Sequence, residues 1–128
     1  MLVSQLSLFP DIDEKKVRSL VVKELKLYKA LKIREQNKKE LSQSGISKNI
    51  FPVLLQNDTE NHFKVIHMER ALNDSLDSIE RKIIEMKYLA SERQNDINIY
   101  MELGLQKTPY YEKKKVAIFQ IASSLGII

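Results

Sequence analysis

The chain has 128 residues and a formal net charge of +4, from 21 Lys and Arg against 17 Asp and Glu. It has no Cys, two His and three Gly, which excludes disulfides, thiolate nucleophiles and Cys-ligated zinc and argues against glycine-rich phosphate loops. No apolar run is long enough to span a membrane, and the start of the sequence lacks the basic segment of a secretory signal. We therefore expect a single cytoplasmic domain with no membrane contact.

The scarcity of Gly and Pro beside many helix-forming residues predicts an all-α fold of about five helices. The first and longest helix is predicted from Asp13, as its N-cap, to about Glu40. Its apolar residues recur at helical spacing and form a stripe that needs a partner, either the rest of the chain or a second copy in a homodimer. This stripe consists of Val17, Val21, Leu25 and Tyr28.

Residues 42–61 interrupt the helical pattern, because they are rich in Ser, Asn, Gly and Pro. Within this predicted linker, an apolar island spans residues 50–55. We expect the island to dock on the core, and recognition of a partner is the alternative. The chain then divides into an N-terminal helix for packing or dimerisation (1–41), the linker (42–61) and a helical region (62–128).

Four further helices are predicted, at about residues 61–72, from residue 77 or 78 onward, at 95–103 and at 109–125. Either Asp77 or Ser78 can cap the helix that follows Leu76, with Glu80 in its first turn. His62 and His67 are five residues apart and fall on different helix faces, so we expect them to bind no metal.

The segment from Ile97 to Leu125 has the pattern of a helix–turn–helix. Asp96 can cap a short helix, and Gly104 then provides the positive φ of a tight turn between helices. Thr108 is the predicted N-cap of the following helix, which places Pro109 at its first position.

The last helix is predicted to be basic in its first half, which would project from the body, and apolar from Val116 onward. Tyr110 is predicted to face inward, and Phe119 on the opposite side needs a second layer from the first helix or from a dimer mate. A projecting basic helix start suits phosphate binding and major-groove contacts. The candidate phosphate contacts are Lys107, Lys113, Lys114 and Lys115, and the candidate base contacts are Gln106, Thr108 and Tyr111.

Two likenesses accompany this pattern. One is to the helix before the DNA-reading motif in region four of bacterial sigma factors, and the other is to the ArpU family of regulators from phages and prophages of low-GC Gram-positive bacteria. Residues 76–89 carry the sigma-like part, and the ArpU resemblance rests on residues 96–104, Tyr110-Tyr111, residues 113–117 and the N-terminal residues 8–16.

The resemblance implies a transcriptional regulator of phage late genes, such as those for packaging or lysis, that binds double-stranded DNA through a sigma-like helix–turn–helix. It also implies no enzyme activity. The residues themselves offer no convincing catalytic set, so we expect no cofactor, metal or small-molecule substrate. One alternative is an interaction module that binds RNA polymerase or another regulator. Another is a packaging component similar to a small terminase subunit.

Overall fold

A computed structural model describes residues 12–128, and these residues form helices and loops without any strand. The predicted all-α fold with a long N-terminal helix is thus confirmed, while residues 1–11, which carry part of the N-terminal ArpU resemblance, lie outside the described part. None of the helices in 12–128 combines the length and apolar character needed to cross a membrane. The five helices are α1 (Glu14–Gln43), α2 (Asp58–Arg70), α3 (Ser78–Ile84), α4 (Asp96–Glu102) and α5 (Lys107–Ser124).

Side-chain caps fix the starts of α1 and α3 as the sequence predicts. The Asp13 carboxylate accepts hydrogen bonds from the backbone N–H groups of Lys15 and Lys16, at 3.0 and 3.2 Å. Asp77 and Glu80 form a reciprocal capping box at the start of α3. α1 ends at Gln43, three residues beyond the predicted end near Glu40. α3 continues into a wider π-helical turn, Glu85–Leu89.

The linker is shorter than predicted, because α2 begins at Asp58 rather than near residue 61. Asp58 and Glu60 lie in the first turn of α2, where negative side chains interact favourably with the helix dipole. α2 also continues into a π-helical turn, Ala71–Ser75.

The apolar island of the linker is exposed, so the expectation that it docks on the core is wrong. Leu54 is 98% exposed and Phe51 77%. The island lies beside the C-terminal part of α1, near Ile33 and Leu41. Because α1 buries no described side chain beyond Leu31, no core surface exists there for the island to cover.

The buried side chains form two clusters. The motif cluster lies between α3, α4 and α5 and consists of Ile83, Ile99 and Tyr110. The body cluster joins α1, the α2 region, α3 and α5, and its members are Val17, Val21, Leu25, Met68, Leu72, Ile84, Ala117, Ile118, Phe119, Ile121 and Ala122.

The apolar stripe of α1 is covered within the chain. Val17, Val21 and Leu25 are buried in the body cluster, and Tyr28 packs against it half-buried. Phe119 belongs to the same cluster, so the second layer predicted for it is supplied within the chain. The stripe and Phe119 are therefore not free to form the homodimer interface that the sequence suggested.

Candidate nucleic-acid interface

The turn between α4 and α5 is a Schellman motif. Gly104 has a φ of +69°, as predicted, and its N–H donates to the carbonyl of Met101 at 3.2 Å. The N–H of Leu105 donates to the carbonyl of Tyr100 at 2.9 Å. These two bonds satisfy the last carbonyls of α4 and turn the chain directly into α5.

The caps of this helix pair differ from the prediction. Asn95, not Asp96, caps α4, because its side-chain oxygen accepts a hydrogen bond from the N–H of Asn98 at 2.8 Å. The N-cap of α5 is Gln106, so Thr108 is the second helical residue and Pro109 the third. Proline is tolerated at this third position because first-turn N–H groups have no intrahelical partner anyway.

Asp96 instead joins α4 to α5. Its Oδ1 accepts hydrogen bonds from the Tyr110 hydroxyl at 2.6 Å and from the Lys114 ammonium at 3.0 Å, and Lys87 lies 3.6 Å away. Burial opposes ionisation of the Asp96 carboxyl, but the hydrogen bonds from Tyr110 and Lys114 outweigh it and hold its pKa below the usual value. Burial and the bond to Asp96 raise the pKa of Tyr110 strongly, so the phenol remains the donor.

The first half of α5 does not project freely from the body, which corrects the prediction. Tyr110 is fully buried, and each of the three consecutive lysines forms an ion pair. Lys113 lies 3.4 Å from Asp77, Lys114 lies 3.0 Å from Asp96, and Lys115 lies 3.0 Å from Glu14 of α1.

These three ion pairs differ in exposure. The Lys114 side chain is only 14% exposed, so its pair with Asp96 is part of the helix packing. Lys113 and Lys115 are 39% and 44% exposed, and pairs of this kind contribute about 0–1 kcal/mol. A phosphate can therefore replace the partner of Lys113 or Lys115 more readily than that of Lys114.

The exposed surface of this region is the start of α5. Gln106, Lys107 and Thr108 are exposed, and no side chain in the described part of the chain caps the helix start. Tyr111 is 40% exposed one turn later, and the Lys114 ammonium lies 5.7 Å from the centre of its ring. Glu112, next to Tyr111 in the sequence, adds an exposed carboxylate.

A second cationic surface was missed by the site prediction. Lys15, Arg18, Lys23 and Lys26 of α1, with Lys87 and Lys114, line a groove around Asp96, which we call the basic groove. The sequence carried a signal for it, since Lys15, Arg18 and Lys26 recur at helical spacing, but such a run on a long helix is ordinarily a solvated face.

Among residues 12–128, no three His, Asp or Glu side chains are grouped closely enough to hold a metal ion. His62 lies 3.8 Å from Glu35 of α1, and the ring of His67 lies 5.9 Å from that of Phe63 in a tilted arrangement. Comparisons of the sequence and structure with family models, curated proteins and solved structures gave no match.

Proposed function

We propose that this protein is a DNA-binding transcriptional regulator that reads the major groove with the start of α5. The observation that carries the proposal is the α4–turn–α5 arrangement, in which a Schellman turn at Gly104 leads into an exposed, uncapped helix start. In helix–turn–helix proteins, the N-terminal residues of the second helix contact base edges in the major groove.

The side chains at this helix start suit the proposal. Gln106 and Thr108 are exposed hydrogen-bonding groups that can reach base edges, and Tyr111 offers a hydroxyl beside them. Lys107 has no carboxylate within ion-pairing distance among the described residues, and Lys115 has only a surface pair. We therefore assign phosphate contacts to Lys107 and Lys115, with Lys113 as a third candidate, and a packing role to Lys114.

The resemblance to the ArpU family extends the proposal to the control of phage late genes in a bacterial host. A sigma-like helix–turn–helix that acts on late promoters would use these same residues.

A second candidate function, an interaction module for RNA polymerase or another regulator, is favoured by one observation. The linker island presents five large apolar side chains to solvent: Ile50, Phe51, Val53, Leu54 and Leu55. Contiguous exposed apolar surface of this kind often marks a protein-binding site. The two functions are compatible, because the island and α5 are separate surfaces.

The test is selection of bound sequences from a random duplex library, followed by affinity measurements on the selected site across a series of salt concentrations. Lys107→Ala and Lys115→Ala should each weaken binding to all sequences and lower the slope of log K against log salt by about 0.9. Thr108→Ala should cost about 1–3 kcal/mol and relax the preference at one position of the site.

Lys39→Ala is the matched control, because Lys39 is exposed on the distal part of α1 and should leave the salt slope almost unchanged. If no duplex is selected, or if the α5 variants bind as the wild type does, the proposal is wrong. If the double variant Phe51→Ser/Leu54→Ser then loses binding to RNA polymerase that the wild type shows, the protein is an interaction module for the polymerase.

A further inference from the structure

We propose that the basic groove binds the phosphate backbone of the duplex next to the stretch read by α5. This inference rests on the proposed function and extends it, because it adds α1 as a second DNA-contacting element. It would make the long helix part of the interface as well as part of the packing.

The first support is the placement of the cations along one side of α1. Lys15, Arg18 and Lys26, with Val22 between them, follow each other at intervals of three or four residues and so share a helix face. From Lys15 to Lys26, this face is about 16 Å long, at a rise of about 1.5 Å per residue. Duplex DNA carries one negative charge per about 1.7 Å of its axis, so this length faces several phosphates.

The second support is the charge balance in the groove. Six cationic side chains surround one carboxylate, that of Asp96, and this carboxylate is already bound by Lys114 and by Tyr110. In the described part of the chain, no carboxylate lies within 4 Å of the charged groups of the four α1 cations, although many other lysines of the molecule are paired. The groove thus holds an excess of positive charge that an anionic ligand can neutralise.

The third support is continuity with the surface at the start of α5. Lys114 lines the groove and also lies over the ring of Tyr111, which belongs to the exposed α5 surface. On the other side, Lys115 reaches Glu14, the residue before Lys15. The basic groove therefore begins where the proposed base-reading surface ends, and one duplex can contact both.

The composition of the groove favours a nucleic-acid backbone over an acidic protein. Protein interfaces have an apolar and aromatic centre, whereas the apolar groups here are limited to Val22 and the half-buried ring of Tyr88. The four cationic side chains of α1 are long and exposed, and such side chains are suited to contacting individual phosphates.

The test uses the full chain and a fluorescently labelled 24-base-pair duplex of mixed sequence, with anisotropy measured across a salt series. The groove variant is Arg18→Gln/Lys23→Gln/Lys26→Gln. If each side chain contacts a phosphate, the slope of log K against log salt should fall by about 2.7. The control, Lys39→Gln/Lys48→Gln/Arg70→Gln, removes the same charge from exposed positions outside the groove and should change the slope by less than about 1.

Lysine acetylation with mass-spectrometric readout gives a second measurement that does not depend on affinity. The duplex should protect Lys23 and Lys26 several-fold and leave Lys39 and Lys48 reactive. Equal labelling with and without bound duplex, or equal slopes for the two triple variants, would overturn the inference.

The two proposals fail in distinguishable ways. If Lys107→Ala and Thr108→Ala weaken binding while the groove variant behaves like its control, α5 reads DNA and the groove does not. If the groove variant loses binding while the α5 variants do not, α1 is the nucleic-acid surface and the helix–turn–helix reading is wrong. If the wild type binds no duplex, both proposals are wrong. If the wild type then binds polyglutamate and the groove variant does not, the ligand of the groove is an acidic protein.

Discussion

At the scale of single residues, Gly104 determines how α4 is joined to α5. Its φ of +69° lies in the left-handed region, and an added Cβ would meet no atom within 4 Å. Glycine is therefore favoured at this turn because of its backbone conformation, and not because a larger side chain would clash with a neighbour.

We expect Gly104→Ala to lower the free energy of unfolding by about 1–2 kcal/mol, since an L-residue with a Cβ is strained in the left-handed region. Gly104→Asn should cost less, because asparagine enters this region more readily than alanine. Urea denaturation of the three proteins is the measurement. Equal stability of the alanine variant and the wild type would contradict the turn geometry.

Asp96 gives the molecule a pH-dependent contact between α4 and α5. Its folded pKa is depressed, whereas an aspartate in the unfolded chain titrates near pH 4. The contribution of Asp96 to stability is therefore complete above about pH 4 and is lost as the pH falls through the folded pKa.

Asp96→Asn should consequently be less stable than the wild type at pH 7, and the difference should shrink at pH 2.5. Urea unfolding of both proteins at the two pH values measures this difference. A difference that does not change with pH would mean that the hydrogen bonds from Tyr110 and Lys114 do not depend on the charge of Asp96.

At the scale of helices, burial separates α1 from the linker that follows it. Leu25 is fully buried in the body cluster, and Leu54 of the linker is 98% exposed. The same substitution at these two positions therefore compares a core residue with a solvated one.

We expect Leu25→Ala to cost about 2–5 kcal/mol through lost burial and the cavity it leaves. Leu54→Ala should change stability by no more than about 0.5 kcal/mol. Thermal denaturation of both variants checks the contrast. A large loss of stability in Leu54→Ala would contradict the exposure of Leu54 and mean that its side chain is buried in solution.

Helix positions and the Gly104 turn follow from local chemistry and could be predicted from the sequence. Asp13 and the Asp77–Glu80 pair could be predicted as helix caps, because a capping side chain bonds to the backbone of residues only two or three positions away. The N-cap of α5 could not be chosen in this way, since Thr108-Pro109 is a good start signal and Gln106 is a poor one, yet the turn geometry selected Gln106.

Whether the lysines of α5 are free or ion-paired depends on carboxylates that are distant in the sequence. Lys113, Lys114 and Lys115 pair with residues 36, 18 and 101 positions away, in three different parts of the chain. No local pattern reveals such pairs. For the same reason, the helical spacing of the α1 cations did not show that they meet Lys87 and Lys114 in one groove.

At the scale of the whole molecule, α3 and α5 hold the two clusters together. Ile83 belongs to the motif cluster and its neighbour Ile84 to the body cluster. In α5, likewise, Tyr110 belongs to the motif cluster and Ile121 to the body cluster. The helix–turn–helix is thus fixed to the body through side chains that are adjacent along α3.

Because α3 is shared, we expect one cooperative unfolding transition. Ile83→Ala and Ile84→Ala should each lower the midpoint of the whole transition, at a cost of about 2–5 kcal/mol. Circular dichroism follows all the helices. Tyrosine fluorescence follows the packing of both clusters, since Tyr100 and Tyr110 lie at the motif cluster and Tyr28 and Tyr88 at the body cluster. Transitions that do not coincide would indicate that the clusters unfold separately.

The adjacency of Ile83 and Ile84 also restricts how the sequence can change in length. Adding or deleting one residue between Asp77 and Ile83 rotates the following helical side chains by about 100°, which would turn Ile83 and Ile84 away from their clusters together. A change of length in the exposed stretch 44–57 rotates no buried side chain. We therefore expect insertions and deletions to be tolerated in that loop and excluded from α3, which sequences of natural variants can reveal.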